Sequence, residues 1–224
     1  MKVACVVPAL DAAAPLKGVL SGIRAAMPAA LIVVVDDGSS DETSSVAGIG
    51  ADVVIRHEQT RGKGAALKAG VAIALEKGAT VVATIDGDGQ HDPAMLPTLV
   101  AGTRDADIVT GCRRRAGTTM PPQRRLSNWM SSRVVSALAG CRIEDSQCGF
   151  RAIRREVLER VSARGDRYEY ETELLVGAAR AGFRVASVAI PTLYAPNGRS
   201  HFRSLRDTSR VAFAMLRLAL TPAR

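Results

Sequence analysis

Three acidic stretches and one basic loop hold the residues with which this 224-residue chain could do chemistry. Thr84-Ile85-Asp86-Gly87-Asp88-Gly89-Gln90 follows the apolar run Ala79 to Ala83 and reads as the exit of a buried strand. Alternate side chains of an extended segment point the same way, so Asp86 and Asp88 are aimed together, with Gln90 one step beyond. Two carboxylates so placed repel unless a proton or a cation lies between them. An all-oxygen set suits a hard divalent ion, Mg²⁺ or Mn²⁺, that keeps positions open for phosphate oxygens. The expected metal set is therefore Asp86, Asp88 and Gln90. An isolated Asp-Gly-Asp also serves as an ordinary turn. An EF-hand fits poorly, because His91 stands where that loop needs its Gly and Pro97 where it needs the closing Glu.

The second acidic stretch, Val35-Asp36-Asp37-Gly38-Ser39-Ser40-Asp41-Glu42, also follows an apolar run. Ser39 and Glu42 have the spacing of a capping box, which would start a helix. Asp36 and Asp37 at a strand end can accept hydrogen bonds from a nucleobase N–H or a ribose hydroxyl. Arg61-Gly62-Lys63-Gly64 precedes a helical pattern. Glycines there would let backbone N–H groups approach an anion at a helix N-terminus. The spacing is not that of a P-loop.

These residues need a scaffold that gathers them. Val3–Val7, Leu31–Val35, Asp52–Ile55 and Ala79–Ile85 read as strands, and residues 15–27, 41–49 and 64–76 between them read as helices. Apolar strands alternating with helices predict an α/β fold, a mostly parallel Rossmann-like sheet sandwiched by helices. Right-handed crossovers place the loops after each strand on one sheet edge, where open α/β sheets bind ligands. The loops at 8–11, 36–40 and 86–90 should meet there. Further on, residues 125–139 and 169–181 read as helices, and 147–153 and 183–190 as strands. Residues 203–220 predict an amphipathic helix with Arg203, Arg206, Arg210 and Arg217 in one stripe. That helix suits either docking on the domain or rest at an anionic membrane surface.

A single domain over 1–224 is expected, with a first half at 1–111, a second at 112–200 and the basic helix at 201–224. The net charge of +8 is concentrated. Between Ile108 and Ile143 there is no acid but seven arginines, 113, 114, 115, 124, 125, 133 and 142. A one-sign block of arginine suggests an anionic partner held by bidentate contacts. Nucleic acid is disfavoured, since aromatic residues make up 4% of the chain and none interleaves with the arginines for base stacking. Four cysteines without CxxC pairing suggest a reduced, cytoplasmic setting. No apolar run reaches the roughly 18 residues a membrane span needs.

Asp36-Asp37-Gly38-Ser39, Arg61-Gly62-Lys63-Gly64-Ala65-Ala66-Leu67, Asp86-Gly87-Asp88-Gly89-Gln90 and Asp145-Ser146-Gln147-Cys148-Gly149-Phe150-Arg151 occur in that order. The chain thereby resembles the family-2 inverting glycosyltransferases of GT-A fold, in particular their polyprenyl- and dolichol-phosphate branch, from about Val3 to Arg210. The resemblance implies transfer of a hexose from a UDP-sugar or GDP-mannose, with Mg²⁺ or Mn²⁺ bridging the diphosphate. It implies that Asp86, Asp88 and Gln90 bind metal and diphosphate, that Asp36 or Asp37 holds base or ribose, and that Pro8 and Leu10 line that pocket. Lys63 would sit near the nucleotide. Asp145 would be the catalytic base or acceptor-positioning group, with Gln147 beside it. Arg113, Arg125 and Asn128 would bind an acceptor phosphate, Glu173 would line the acceptor side, and Arg199 with Ser200 would close over the diphosphate.

Where relatives carry acids after the first strand, this chain has Asp11-Ala12-Ala13, and Thr60 stands where an Asn is common. With the sequence ending at Arg224, a lipid-phosphate acceptor would be met peripherally, on the cytoplasmic face of a membrane. Two rivals share parts of the pattern. A sugar-phosphate nucleotidyltransferase would want a Gly-rich basic loop after the first strand, where Pro8-Ala9-Leu10-Asp11 stands. A non-catalytic module binding nucleotide sugar or anionic lipid would need neither Asp88 nor Asp145.

Overall fold

The computed structural model describes residues 1–113, 122–191, 193 and 218, the side chains of 122–124 excepted. Uncharged runs of Val, Ile and Ala form strands that are covered on both faces. These are β1 (Val3–Ala9) and β2 (Leu31–Asp36). The edge strand β3 (Val53–Arg56) alternates half-buried and exposed positions, and β4 (Val81–Thr84) is again wholly buried. β5 (Ile108–Cys112), β6 (Arg151–Arg154) and β7 (Val185–Ala189) complete a seven-stranded sheet ordered β3-β2-β1-β4-β6-β5-β7.

The helices are α1 (Ala13–Ala26), α2 (Thr43–Gly50), α3 (Lys63–Glu76), α4 (Leu96–Gly102), α5 (Pro122–Ala139), α6 (Arg155–Arg160) and α7 (Glu169–Arg180). They lie in two layers, because alternate strand residues face opposite sides. Cys5, Val7, Ile32 and Val34 pack with Leu16, Leu20 and Ile23 of α1 and with Leu96 and Leu99 of α4. Ala4, Val6, Val33 and Val82 pack with Leu67 and Val71 of α3, Val135 of α5 and Leu174 and Leu175 of α7. Emptying such a fully buried leucine position to alanine costs about 2–5 kcal/mol.

Strand direction decides which loops meet. β1 pairs in parallel with β2 and β4, so the three carboxyl ends share an edge. β6 runs antiparallel to both β4 and β5, with Arg151 opposite Thr84 and Thr110. The loop that precedes β6, carrying Asp145 to Phe150, therefore arrives at that same edge. The sheet is mostly parallel as expected, with β6 as its exception.

Three elements were not foreseen: β5, α4 and α6. The expected strand at 147–153 is shorter, because residues 147–150 form the loop itself. The capping box is not formed. Ser39 Oγ accepts from Asp11 N at 2.9 Å, and α2 begins at Thr43, whose N–H donates to Asp41 Oδ1 at 3.0 Å. The expected helix at 203–220 lies outside the described residues apart from Leu218. That residue is helical, packs against the second core layer, and accepts Arg180 Nη1 at its carbonyl, 2.7 Å. No helix among the described residues is long and apolar enough to cross a membrane. No disulfide joins any two of the four cysteines.

Candidate active site

Asp36 ends β2 and Asp37 follows it, both buried, with partners inside the protein. Asp36 Oδ1 accepts from Ser39 N at 2.9 Å, its other oxygen accepts from Ser44 Oγ, and Arg56 Nε lies 3.7 Å away. Burial opposes ionisation, but the Ser39 and Ser44 hydrogen bonds and the Arg56 charge outweigh it and hold this carboxyl below its usual range. Asp37 Oδ1 meets His57 Nδ1 at 2.6 Å and Arg61 N at 3.0 Å, and Oδ2 accepts from Gly62 N at 2.7 Å. The anion that the Arg61-Gly62 backbone approaches is thus the chain's own Asp37. Gly62 and Gly64 have a packing reason as well. Gly62 has φ +115°, and a Cβ there would lie 2.5 Å from Asp166 O, while one on Gly64 would lie 2.7 Å from Arg167 O. The anion-cradle reading of this loop is corrected accordingly. Pro8 ends its run at the same edge, its carbonyl accepting from Gly87 N at 3.2 Å, with Leu10 half-buried beside it.

That loop delivers Lys63 to the cleft as the first residue of α3. Lys63 Nζ lies 2.8 Å from Asp86 Oδ1 and 3.0 Å from Glu171 Oε2. Burial would lower the ammonium's pKa, but Asp86 and Glu171 outweigh it and raise it, so Lys63 stays charged. Lys63 in turn outweighs burial at Asp86 and holds that carboxyl low. Behind Glu171 stands Arg151, 2% exposed, with Nη2 at 3.9 Å from Glu171 Oε1. Arg151 donates to the carbonyls of Cys148, Ser146 and Glu171, and so pins the loop before β6. Gly149 lies under the ion pair, where a Cβ would sit 2.7 Å from Lys63 Nζ and 2.8 Å from Asp86 Oδ2. His91, buried against Phe150, places Nε2 at 3.9 Å from Asp86 Oδ2. Burial pulls its pKa down to about 4, so it is neutral at physiological pH.

Asp88 stands exposed at the cleft mouth, its Oδ1 accepting from Gln90 N at 3.0 Å. Desolvation and then the Asp86 charge raise its carboxyl above the usual range. Among the described residues no three His, Cys, Asp or Glu side chains converge. Asp86 and Asp88 offer hard oxygen donors of the kind a divalent cation takes from a protein when a ligand supplies its remaining oxygens.

Across the edge Asp145 is fully buried. Arg113 Nε and Nη2 reach its two oxygens at 2.9 and 3.1 Å, and Asn128 Nδ2 and Gln147 N donate to Oδ1 at 3.0 and 3.2 Å. Burial opposes the charge, but Arg113 and Asn128 prevail and the carboxyl is held low. Gln147 Nε2 donates to Ser131 on α5 at 2.9 Å, and Arg125 is exposed on that helix.

Glu173 is not in the cleft. Its Oε2 accepts from Arg164 N and Gly165 N at 2.7 and 3.0 Å. Two residues along a helix turn a side chain about 200°, so Glu171 faces Lys63 and Glu173 faces away. Arg199 and Ser200 lie outside the described residues. Sequence reasoning passed over Glu171, His91 and Arg151. The Glu-x-Glu-x-Glu run on α7 held the signal for the first, but only packing decides which of the three faces the cleft.

Residues 4–162 match the family model for glycosyl transferase family 2, more than half the chain. The chain belongs to glycosyltransferase family 2. Membership makes it an enzyme that transfers sugar, and it removes the nucleotidyltransferase and the non-catalytic module. Among family-2 relatives, the undecaprenyl-phosphate mannosyltransferase of Micrococcus luteus is 32% identical over 203 residues, covering 85% of this chain and 83% of that protein. The polyprenol monophosphomannose synthase of Mycolicibacterium smegmatis is 35% identical over 187 residues, 77% of this chain and 70% of that one. A crystal structure of glucosyl-3-phosphoglycerate synthase from Mycobacterium tuberculosis with Mg²⁺ and UDP superposes with TM-score 0.77 at 24% identity, covering 99% of this chain and 80% of that one. That likeness establishes the GT-A fold.

Proposed function

We propose that this family-2 enzyme moves a hexose from a nucleotide sugar, a UDP-sugar or GDP-mannose, to a polyprenyl phosphate with inversion at the anomeric carbon. The observation that carries the reading is Asp145. A general base for a sugar hydroxyl should titrate near the working pH. Asp145 is instead a buried carboxylate held below its usual range by Arg113 and Asn128. His91, its pKa pulled down to about 4, is also a weak base. A phosphate oxygen needs none, because it is already ionised. Asp145 then acts as a positioning residue, aiming Arg113 at the acceptor phosphate, with Arg125 and Asn128 on the same side. The names of the Micrococcus and Mycolicibacterium relatives support a polyprenyl acceptor.

On the donor side, Asp86 and Asp88 would hold Mg²⁺ or Mn²⁺, with Gln90 at the same turn. That ion supplies Lewis-acid neutralisation of the departing diphosphate. Lys63 adds a fixed positive charge beside Asp86, where negative charge develops on the leaving group. Asp36 and Asp37 shape the nucleotide pocket through the 37–40 and 61–63 backbone they hold, and Pro8 and Leu10 form its floor. Arg199 and Ser200 would close over the diphosphate. The halves at 1–111 and 112–200 divide into donor and acceptor sides, followed by the basic 201–224 stretch.

The test is a donor screen with UDP-, GDP- and dTDP-sugars against undecaprenyl phosphate in detergent, with Mg²⁺, Mn²⁺ or chelator. Metal-dependent release of nucleoside diphosphate with formation of the glycosyl lipid is the expected result. Transfer to a neutral sugar hydroxyl in preference to the lipid phosphate would overturn the acceptor assignment.

A further inference from the structure

Helix α5 has two unlike faces. One builds the acceptor side. Asn128 donates to Asp145, Ser131 accepts from Gln147, and Ser132 Oγ accepts from Ser146 N at 3.1 Å. The other presents Leu126, Trp129, Met130 and Val134, exposed by 59%, 42%, 55% and 47%. At 100° per residue these four fall within about 140° of arc, while Asn128 is turned about 200° from Leu126. Half of the eight large hydrophobic side chains that stand exposed among the described residues are therefore on this one face. Isolated exposed apolar residues are ordinary, but a contiguous apolar face with a charged rim marks an interaction surface.

The rim is basic. Arg125 is exposed at one edge of the apolar arc, while Arg133, also exposed, falls within the arc between Trp129 and Leu126 and lies over the Trp129 ring at 5.4 Å. Arg142, 83% exposed just beyond the helix, lies 3.6 Å from Glu144 Oε1. A groove of about 1060 Å³ runs between them, with Arg125, Trp129, Arg133 and Arg142 in its walls. Residues 108–143 contain no acid; Glu144, in the groove wall, offsets Arg142 and leaves Arg125 and Arg133 to set the sign of this face.

We propose that this face of α5 docks on the surface of an anionic phospholipid bilayer. Charge complementarity selects that occupant. Apolar side chains that enter the headgroup boundary, a Trp among them, with arginines that stay at phosphate level, are what an interfacial helix requires. A second copy of this chain would bring the same arginines against themselves. The inference rests on the polyprenyl-phosphate reading for its purpose. Docking there places Asp145 and Arg113 one helix diameter, about 10 Å, from the membrane surface, where a lipid phosphate lies.

Trp129 is the chain's single tryptophan, so its emission reports on this face alone. The full chain is mixed with vesicles of phosphatidylcholine containing about one-third phosphatidylglycerol, with and without bromine-labelled acyl chains. The expected result is a blue shift of Trp129 emission, quenching by the brominated lipid, and a much smaller response to phosphatidylcholine alone. The double variant Leu126→Glu/Met130→Glu should lose about tenfold or more in vesicle partition. It should keep the parent's melting temperature and its turnover on polyprenyl phosphate in detergent. Vesicle binding without a Trp129 response, parental binding by the double variant, or no binding would each overturn the proposal. A concentration-dependent Trp129 shift without lipid would overturn it in favour of a second copy. If the parent fails to glycosylate polyprenyl phosphate in detergent, the acceptor assignment falls while the Trp129 result stands by itself.

Discussion

Asp36–Asp37 and Asp86–Asp88 leave neighbouring parts of one sheet edge, yet they have opposite relations to the rest of the chain. Asp36 and Asp37 accept from backbone N–H groups, Ser39 for the first and Arg61 and Gly62 for the second. Asp86 is held by side chains, Lys63 at 2.8 Å and His91 at 3.9 Å, and Asp88 points outward. A carboxylate that accepts from the backbone of a loop builds that loop, and removing it undoes the local fold. One held by a side-chain ammonium can exchange that partner for a cation or yield it to a phosphate. The type and place of the two pairs are alike; the donors around them separate scaffold from chemistry.

The sharpest test of that contrast is substitution to the isosteric amide. Asp86→Asn and Asp88→Asn should each lower turnover by about a thousandfold or more, since the charge that seats a metal is gone. Circular dichroism melting should remain close to the parent for Asp88→Asn, because that side chain is exposed. Asp37→Asn should do the reverse. Its new amide NH2 replaces one of the two accepting oxygens, so it would face either Gly62 N or Arg61 N and His57, leaving a donor there unpaired, at about 2–4 kcal/mol. For a domain this size that is roughly 5–15 °C in melting temperature. An Asp37→Asn protein that melts like the parent but is inactive would erase the distinction.

Glu171 tests the side-chain half of the contrast at an intermediate scale. It gives Lys63 a second anchor, 3.0 Å away, opposite Asp86. Glu171→Gln should reduce kcat/KM by about ten- to a hundredfold and raise the Mn²⁺ concentration needed for half-occupancy. Mn²⁺ binding followed by electron paramagnetic resonance reads that shift without turnover. Glu171→Asp should recover part of both. Unchanged Mn²⁺ binding and turnover in Glu171→Gln would show that Lys63 is held by Asp86 alone.

How far this was legible in the sequence follows from the same distinction. The Val and Ile runs that became β1, β2 and β4 are buried on both faces, so composition alone marks them. β5 was missed because Ile108-Val109-Thr110-Gly111-Cys112 is short and runs directly into the arginine block. α4 was missed because its first turn contains a proline. The site motifs were visible as residue types at strand ends. Direction was not: Asp36 and Asp37 turn inward to their own loops, and Glu171 rather than Glu173 takes the cleft. Those outcomes depend on hydrogen-bond partners 20 or more residues away, such as His57 and Gly62 for Asp37. Local pattern does not carry them.

The smallest effect carries opposite signs at the two pairs. Asp36 has a folded pKa below its unfolded value of about 3.9, so it contributes stability that is full above about pH 4. That contribution is lost as pH falls through the lower folded value. Asp88 has its folded pKa raised, so in metal-free protein its ionised form at neutral pH opposes folding, and the opposition eases on acidification. Urea midpoints compared near neutrality and near pH 3.5 should therefore fall less for Asp36→Asn than for the parent. Near neutrality, without metal, Asp36→Asn should be the less stable of the two and Asp88→Asn slightly more stable than the parent. Saturating Mg²⁺ should abolish the advantage of Asp88→Asn, because in the parent the cation then neutralises the repulsion from Asp86. An Asp88→Asn protein less stable than the parent without metal would place Asp88 with the scaffold carboxylates, and the line drawn between the two pairs would have to move.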